Sequence, residues 1–182
     1  MCKKSTFENL LPSLSELKGE LKDKVIACWK LAQKEGGWSD GDLADIPFTL
    51  LLPDCPMNLF EHTEAVTQIA IAVYELLVRY PQFKSINYEH LLAGALLHDV
   101  GKLLEYKKTS EGVVKSRAGK LLRHPFSGAG LAMKVGLPDE VVHIIATHAK
   151  EGEGGYRSPE SVIVHYADFT FFHGLKAILQ EK

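Results

Sequence analysis

His98 and Asp99 stand side by side at the end of an apolar stretch, Leu91-Leu-Ala-Gly-Ala-Leu-Leu97. Successive helical residues point about 100° apart, so an imidazole and a carboxylate in sequence can share one cation only where it sits close to the helix near its end. His62 lies on the apolar stripe of an earlier helix, four residues before Val66, and therefore faces the core. Asp168 belongs to a later helix. Together the four groups would offer two imidazoles and two carboxylates, a mixed nitrogen and oxygen set that suits Fe, Mn, Zn, Ni or Co without choosing among them. With no cation they would form a dry polar cluster short of partners. Gly94, one turn before His98 on the same face, leaves room for another helix to approach.

The elements that must carry these groups have readable ends. Asn58 followed by Glu61 is a capping-box start, and the stripe behind it runs through Val66, Ile69, Val73 and Leu77. A second helix is expected from Asn87 through His98-Asp99, stopped by Gly101. Leu103-Leu-Glu-Tyr-Lys107 and Val113-Val-Lys-Ser-Arg117, flanking Thr-Ser-Glu-Gly, predict a small β-hairpin. Pro125, Pro138 and Pro159 each suit the first turn of a further helix, the last containing Asp168. Ahead of all these, residues 14–34 carry Leu17, Leu21, Ile26 and Leu31 among Lys and Glu, an amphipathic lead-in helix that ends at a Gly-rich stretch, residues 35–42. The expected organisation is an N-terminal helical extension over residues 1–57, packed on a main unit over 58–182.

In this order the residues resemble the HD superfamily of metal-dependent phosphohydrolases, closest to the subgroup carrying His-Asp-Ile-Gly-Lys that includes the HD-GYP phosphodiesterases and ribonuclease Y-like proteins. Three stretches carry the likeness: Ala95-Leu-Leu-His-Asp-Val-Gly-Lys102, Arg123-His-Pro-Phe-Ser-Gly128 and Ser158-Pro-Glu-Ser-Val-Ile-Val-His-Tyr-Ala-Asp168. An ordered set of this kind is specific where a lone His-Asp pair is not. The resemblance implies an all-α fold, an HD-domain helical bundle with one small hairpin. It implies that His62, His98, Asp99 and Asp168 bind a first divalent transition metal ion, that His124 and His148 bind a second, and that Asp99 bridges the two. It further implies that Lys102 holds a phosphate oxygen, with Asp99 and Lys102 as the catalytic pair. Two departures stand out. Thr147-His148-Ala149 replaces the paired histidines of many relatives, and Gly155-Tyr156 is followed by Arg157 where the HD-GYP enzymes have proline.

Charge adds a reading independent of the family. From Lys102 to Arg123 there are seven basic residues against two acidic ones, in a chain whose net charge is −2. Such a hairpin would draw an anionic substrate toward the metals, while its distal lysines read equally well as solubilising an edge. Lys102, one turn from Asp99, suits a phosphate-binding or supporting role. Arg123 is a candidate for substrate phosphate, as is His165, which lies three residues before Asp168 on the same helix face. His90, His143, His173 and Arg157 read as ordinary core or surface groups.

The 182 residues, 46% of them apolar, describe one ordinary domain and exclude a disordered tail or a general polyanion binder. Cys2, Cys28 and Cys55 form no C-x-x-C, so a disulfide framework or thiolate zinc site is not expected. The longest apolar run, residues 46–53, is too short to span a membrane, and the N-terminus lacks a secretion-signal core, which points to the cytoplasm. The expected activity is hydrolysis of a phosphomonoester or phosphodiester, of a nucleotide or short oligonucleotide, through a metal-activated hydroxide. The alternatives are a di-iron HD-type oxygenase and a non-catalytic nucleotide-binding module. The expected partner is a small anionic phosphate compound, with no membrane and no long nucleic acid; a homodimer is compatible with this reading.

Overall fold

A computed structural model describes residues 6–52 and 55–180. Cys2 lies outside the described residues. The chain opens with α1 (Thr6–Leu10), a 3-10 turn (Pro12–Glu16) and α2 (Gly19–Gly36). The lead-in helix thus starts later than its stripe suggested, because Leu17 is extended and Leu14 belongs to the turn. Gly37, at φ 74°, takes the left-handed position that ends α2. The Gly-rich stretch after it is tightly packed: Trp38 Nε1 donates to the Leu103 carbonyl at 2.7 Å, and a Cβ on Gly36 would lie 2.2 Å from that same oxygen.

Asn58 caps α3 (Leu59–Leu77), its side chain accepting from the Phe60 and Glu61 amides while Glu61 reaches back to the Asn58 amide. Asn87 caps α4 (Tyr88–Leu97), whose residues from Leu91 to Leu97 are all buried. Gly94 makes the expected close approach, since a Cβ there would lie 2.6 Å from the Ile144 side chain on a later helix.

Beyond Asp99 the structure corrects two expectations. Gly101 does not end the helix through a left-handed turn; its φ is −66°. It is required because a Cβ there would stand 2.1 Å from the His124 carbonyl oxygen. Gly101→Ala is therefore expected to cost about 1–3 kcal/mol in urea unfolding, as overpacking does where the opposing atom is backbone. The hairpin is also shorter than predicted: residues 102–105 form a further helical turn, α5 (Lys102–Glu105), with the Leu104 and Glu105 amides donating to the Gly101 carbonyl. The ribbon comprises β1 (Tyr106–Thr109) and β2 (Gly112–Lys115), antiparallel with Tyr106 opposite Lys115, and Arg117 already belongs to α6 (Arg117–Leu121).

Three helices complete the fold: α7 (His124–Lys134), α8 (Asp139–Thr147) and α9 (Pro159–Gln180). Pro125 and Pro159 lie in first turns, whereas Pro138 sits just ahead of α8 in an extended conformation. α4 runs between α3, α8 and α9, so the apolar helix bearing His98-Asp99 is walled by the helices that carry or precede His62, His148 and Asp168. The N-terminal residues share its core. Phe7, Trp29 and Phe60 form an aromatic cluster, and Trp29 Nε1 donates to the Leu96 carbonyl at 3.1 Å. Apart from the one antiparallel ribbon and an isolated bridge between Pro47 and Asn58, the regular structure of the described residues is helical, and no helix among them is long and apolar enough to cross a membrane. Cys28 is fully buried, and burial pushes its thiol up to about 12, which suits a packing role.

Candidate metal centre

Five helices deliver six side chains to one point. The capping box sets the phase of α3 so that His62, in its first turn, faces inward; His98 and Asp99 leave the end of α4; His124 is the first residue of α7; His148 directly follows α8; and Asp168 lies on α9. His62, His98, Asp99, His124 and His148 are all buried.

The Asp99 carboxylate divides between two groups. Its Oδ2 lies 3.2 Å from His62 Nε2 and 3.4 Å from His98 Nε2, while its Oδ1 lies 3.3 Å from His124 Nε2 and 3.9 Å from His148 Nε2. Each trio has its ligand atoms within 4.8 Å of one another, close enough to hold an ion. Asp168 Oδ1 stands beside the first trio, 3.2 Å from His62 Nε2.

The donor chemistry suits cations. Nδ1 of His98 donates to the Ala95 carbonyl and Nδ1 of His148 to the Ile145 carbonyl, each at 2.7 Å; Nδ1 of His124 donates to Glu105 Oε2 at 2.9 Å. With Nδ1 protonated, the neutral ring directs the Nε2 lone pair into the centre. His98 Nε2 then faces His62 Nε2 at 3.4 Å, and His124 Nε2 faces His148 Nε2 at 3.3 Å. The opposed lone pairs of His124 and His148 need positive charge between them, while the buried His62 Nδ1 has no hydrogen-bond partner among the described residues and its Nε2 faces the Asp99 and Asp168 carboxylates.

Charge shifts agree. Burial would raise the Asp99 carboxyl, yet Lys102 and His98 hold it well below the usual carboxylate range. Burial would lower the His98 imidazole, yet Asp99 prevails and raises it. His148 is lowered to about 3 by burial, with His98 and His124 adding to the effect, and stays neutral.

The other sequence candidates take distinct places. Lys102 is buried, and its Nζ donates to Asp99 Oδ2 at 2.6 Å and to the Phe48 carbonyl. Arg123 is half-exposed at the mouth of the site, 3.8 Å from Glu105 and 3.4 Å from Glu151. His165 is buried and donates to the His148 carbonyl at 2.5 Å, behind the candidate ligands and not among the residues lining the cavity. Of the basic hairpin, Lys115 and Arg123 line the cavity with Lys102, whereas Lys108 turns away to pair with Asp42. Arg157 binds the Thr147 and Ala149 carbonyls, clamping the end of α8 on which His148 sits.

Three contributors escaped the sequence reading. Glu105, counted there only as an acid within a basic stretch, accepts from both the His124 amide and ring; burial would raise its carboxyl, but these bonds lower it to about 2. Its one signal was an acidic residue three positions after Lys102. Phe48 stacks on the His62 ring at 4.5 Å, and His173 lines the cavity. Glu105→Gln is expected to weaken metal binding at the His124 and His148 side about 10–100-fold, the usual effect of removing the carboxylate behind a histidine ligand. Competitive chelator titration would show this as one weakened site beside one unchanged.

Comparison with known proteins follows the same residues. The family model described as the HD domain matches residues 59–170. Among curated proteins, the chain is 34% identical over 114 residues to a dihydroneopterin 2′,3′-cyclic phosphate phosphodiesterase of Methanocaldococcus jannaschii, across 61% of this chain and 45% of that protein. It is 29% identical over 111 residues to ribonuclease Y of Pseudothermotoga lettingae, across 61% of this chain and 18% of that protein. The chain thus spans less than half the length of these curated relatives. No solved structure gives a significant match.

Proposed function

This chain belongs to the HD-domain family, and we propose that it is a metal-dependent phosphodiesterase acting on a small phosphate diester of nucleotide type. The observation that carries the reading is the division of the Asp99 carboxylate, one oxygen toward His62 and His98 and the other toward His124 and His148. In this reading His62, His98, Asp99 and Asp168 hold one divalent transition metal ion, and Asp99, His124 and His148 hold a second. Such a pair supplies the charge that polarises a phosphoryl group and acidifies water.

The chain's own residues supply the rest. Glu105 keeps the His124 ring turned inward, and Lys102 holds Asp99 ionised and oriented. Lys115, Arg123 and Lys150 at the cavity edge favour an anionic substrate. The relative named for a cyclic phosphate supports a diester over a monoester. Rim charge and relatives alike support phosphate chemistry over an oxygenase, and the complete set of candidate ligands supports turnover over passive binding.

Metal content of protein purified without added metal, followed by turnover of bis(p-nitrophenyl) phosphate and nucleoside 2′,3′-cyclic phosphates with Mn, Co, Ni, Zn and Fe, tests the reading. Two ions per chain with diester cleavage is the expected result. Bound iron with dioxygen consumption and no hydrolysis would overturn it in favour of the oxygenase.

A further inference from the structure

The cavity that reaches Asp99, His124 and Asp168 has a volume of about 660 Å3 and two chemically different sides. On one side Lys115 lies 3.3 Å from Glu105, and Arg123 links Glu105 to Glu151, so cations and carboxylates alternate from the hairpin to the segment after α8. On the other side Phe48 packs edge-on against Phe171 and Phe172 of α9. From Phe48 the chain continues along the cavity through Leu50 and Leu51, which are 40% and 73% exposed. On α9, Phe172 lies one turn beyond Asp168 on the same face and Phe169 stands beside it; both rings line the cavity, with His173 and Lys176 farther along the helix.

Exposed leucines and aromatic faces opposite a charged rim contribute little to the core. They complete a cavity able to hold a molecule that is anionic at one end and flat and apolar at the other. We infer that Leu50, Leu51, Phe169 and Phe172 receive the ring system of the substrate while its phosphate lies toward Asp99 and the basic rim. Residues 48–52 and Phe172 lie outside the 59–170 matched by the family model, whereas Phe169 lies within it. The placement of the phosphate rests on the phosphodiesterase reading; the affinity of the wall for a ring does not depend on turnover.

Dissociation constants for adenosine and guanosine 2′-monophosphate, ribose 5-phosphate and hexyl phosphate, measured by calorimetry on the wild type and on Leu51→Ser and Phe172→Ser, test the wall. The nucleotides are expected to bind about tenfold or more tightly than ribose 5-phosphate, the usual worth of a base on an aromatic side chain. Each variant should bring that ratio toward one. Leu51 is largely exposed, so its replacement leaves folding intact and keeps the test decisive should Phe172→Ser fail to fold. Equal affinity for nucleotide and ribose phosphate, or preference for hexyl phosphate, would overturn the inference. So would variants that weaken all ligands alike. Ring selectivity without hydrolysis of any diester would overturn the phosphodiesterase reading and leave the wall standing, whereas hydrolysis without selectivity would do the reverse.

Discussion

Asp99→Ala is expected to empty both halves of the centre at once. The side chain gives Oδ2 to the trio with His62 and His98 and Oδ1 to the trio with His124 and His148. No other candidate ligand is shared in this way among the described residues. Its removal should take bound metal from two ions per chain to fewer than one, as read by elemental analysis after dialysis. Diester turnover should fall on the order of a thousandfold or more, because the charge stabilisation lost amounts to several kcal/mol at about 1.4 kcal/mol per tenfold. His148→Ala is the comparison: it opens only one trio, so one ion should remain. Asp99→Asn separates geometry from charge, since the amide keeps the shape and loses the negative charge. A variant at Asp99 that still held two ions would sink the shared-carboxylate reading.

The contrast between these variants follows from features that differ in how far the sequence exposes them. His98-Asp99 was legible because it ends a helix apolar on every side, where two polar groups in succession have no structural reason to be. The helix starts were legible because Asn58 with Glu61, Asn87 and Pro159 act within one turn. What stayed hidden depends on contacts across the chain. Glu105 meets His124 19 residues later, and the Phe48 carbonyl accepts from Lys102 54 residues on. Gly101 reads in sequence as a helix terminator, and only the position of α7 shows it to be a steric requirement. The turn over residues 102–105 precedes the strand-like run Tyr-Lys-Lys-Thr. Its helical form is held by Ser116, which donates to the Leu104 carbonyl through Oγ and to the Glu105 carbonyl through its amide, so local pattern alone places residues 103–105 in the hairpin. Periodicity records which face is buried; it does not record what that face meets.

Lys102→Met should then be felt in stability before it is felt in catalysis. The sequence suggests a lysine with a phosphate-binding or supporting role, and the structure commits two of its three N–H donors, one to Asp99 Oδ2 and one to the Phe48 carbonyl. Removing the cation leaves a buried carboxylate without its nearest charge partner, an imbalance that costs about 3–5 kcal/mol when one member of a buried pair is deleted. That loss is expected in urea unfolding of protein kept in chelator. With divalent metal present the loss should shrink, because ions bound at the two trios restore positive charge beside Asp99 and bind only the folded state. The difference between the two unfolding midpoints should therefore be wider for the variant than for the wild type. Lys102 also lines the cavity, and its third donor remains for the phosphate oxygen of the proposed substrate. An unchanged midpoint in chelator together with a raised KM for the diester would assign the lysine to substrate alone. A lowered midpoint that metal recovers, with KM also raised, would show one ammonium group holding the bridging carboxylate and the substrate together.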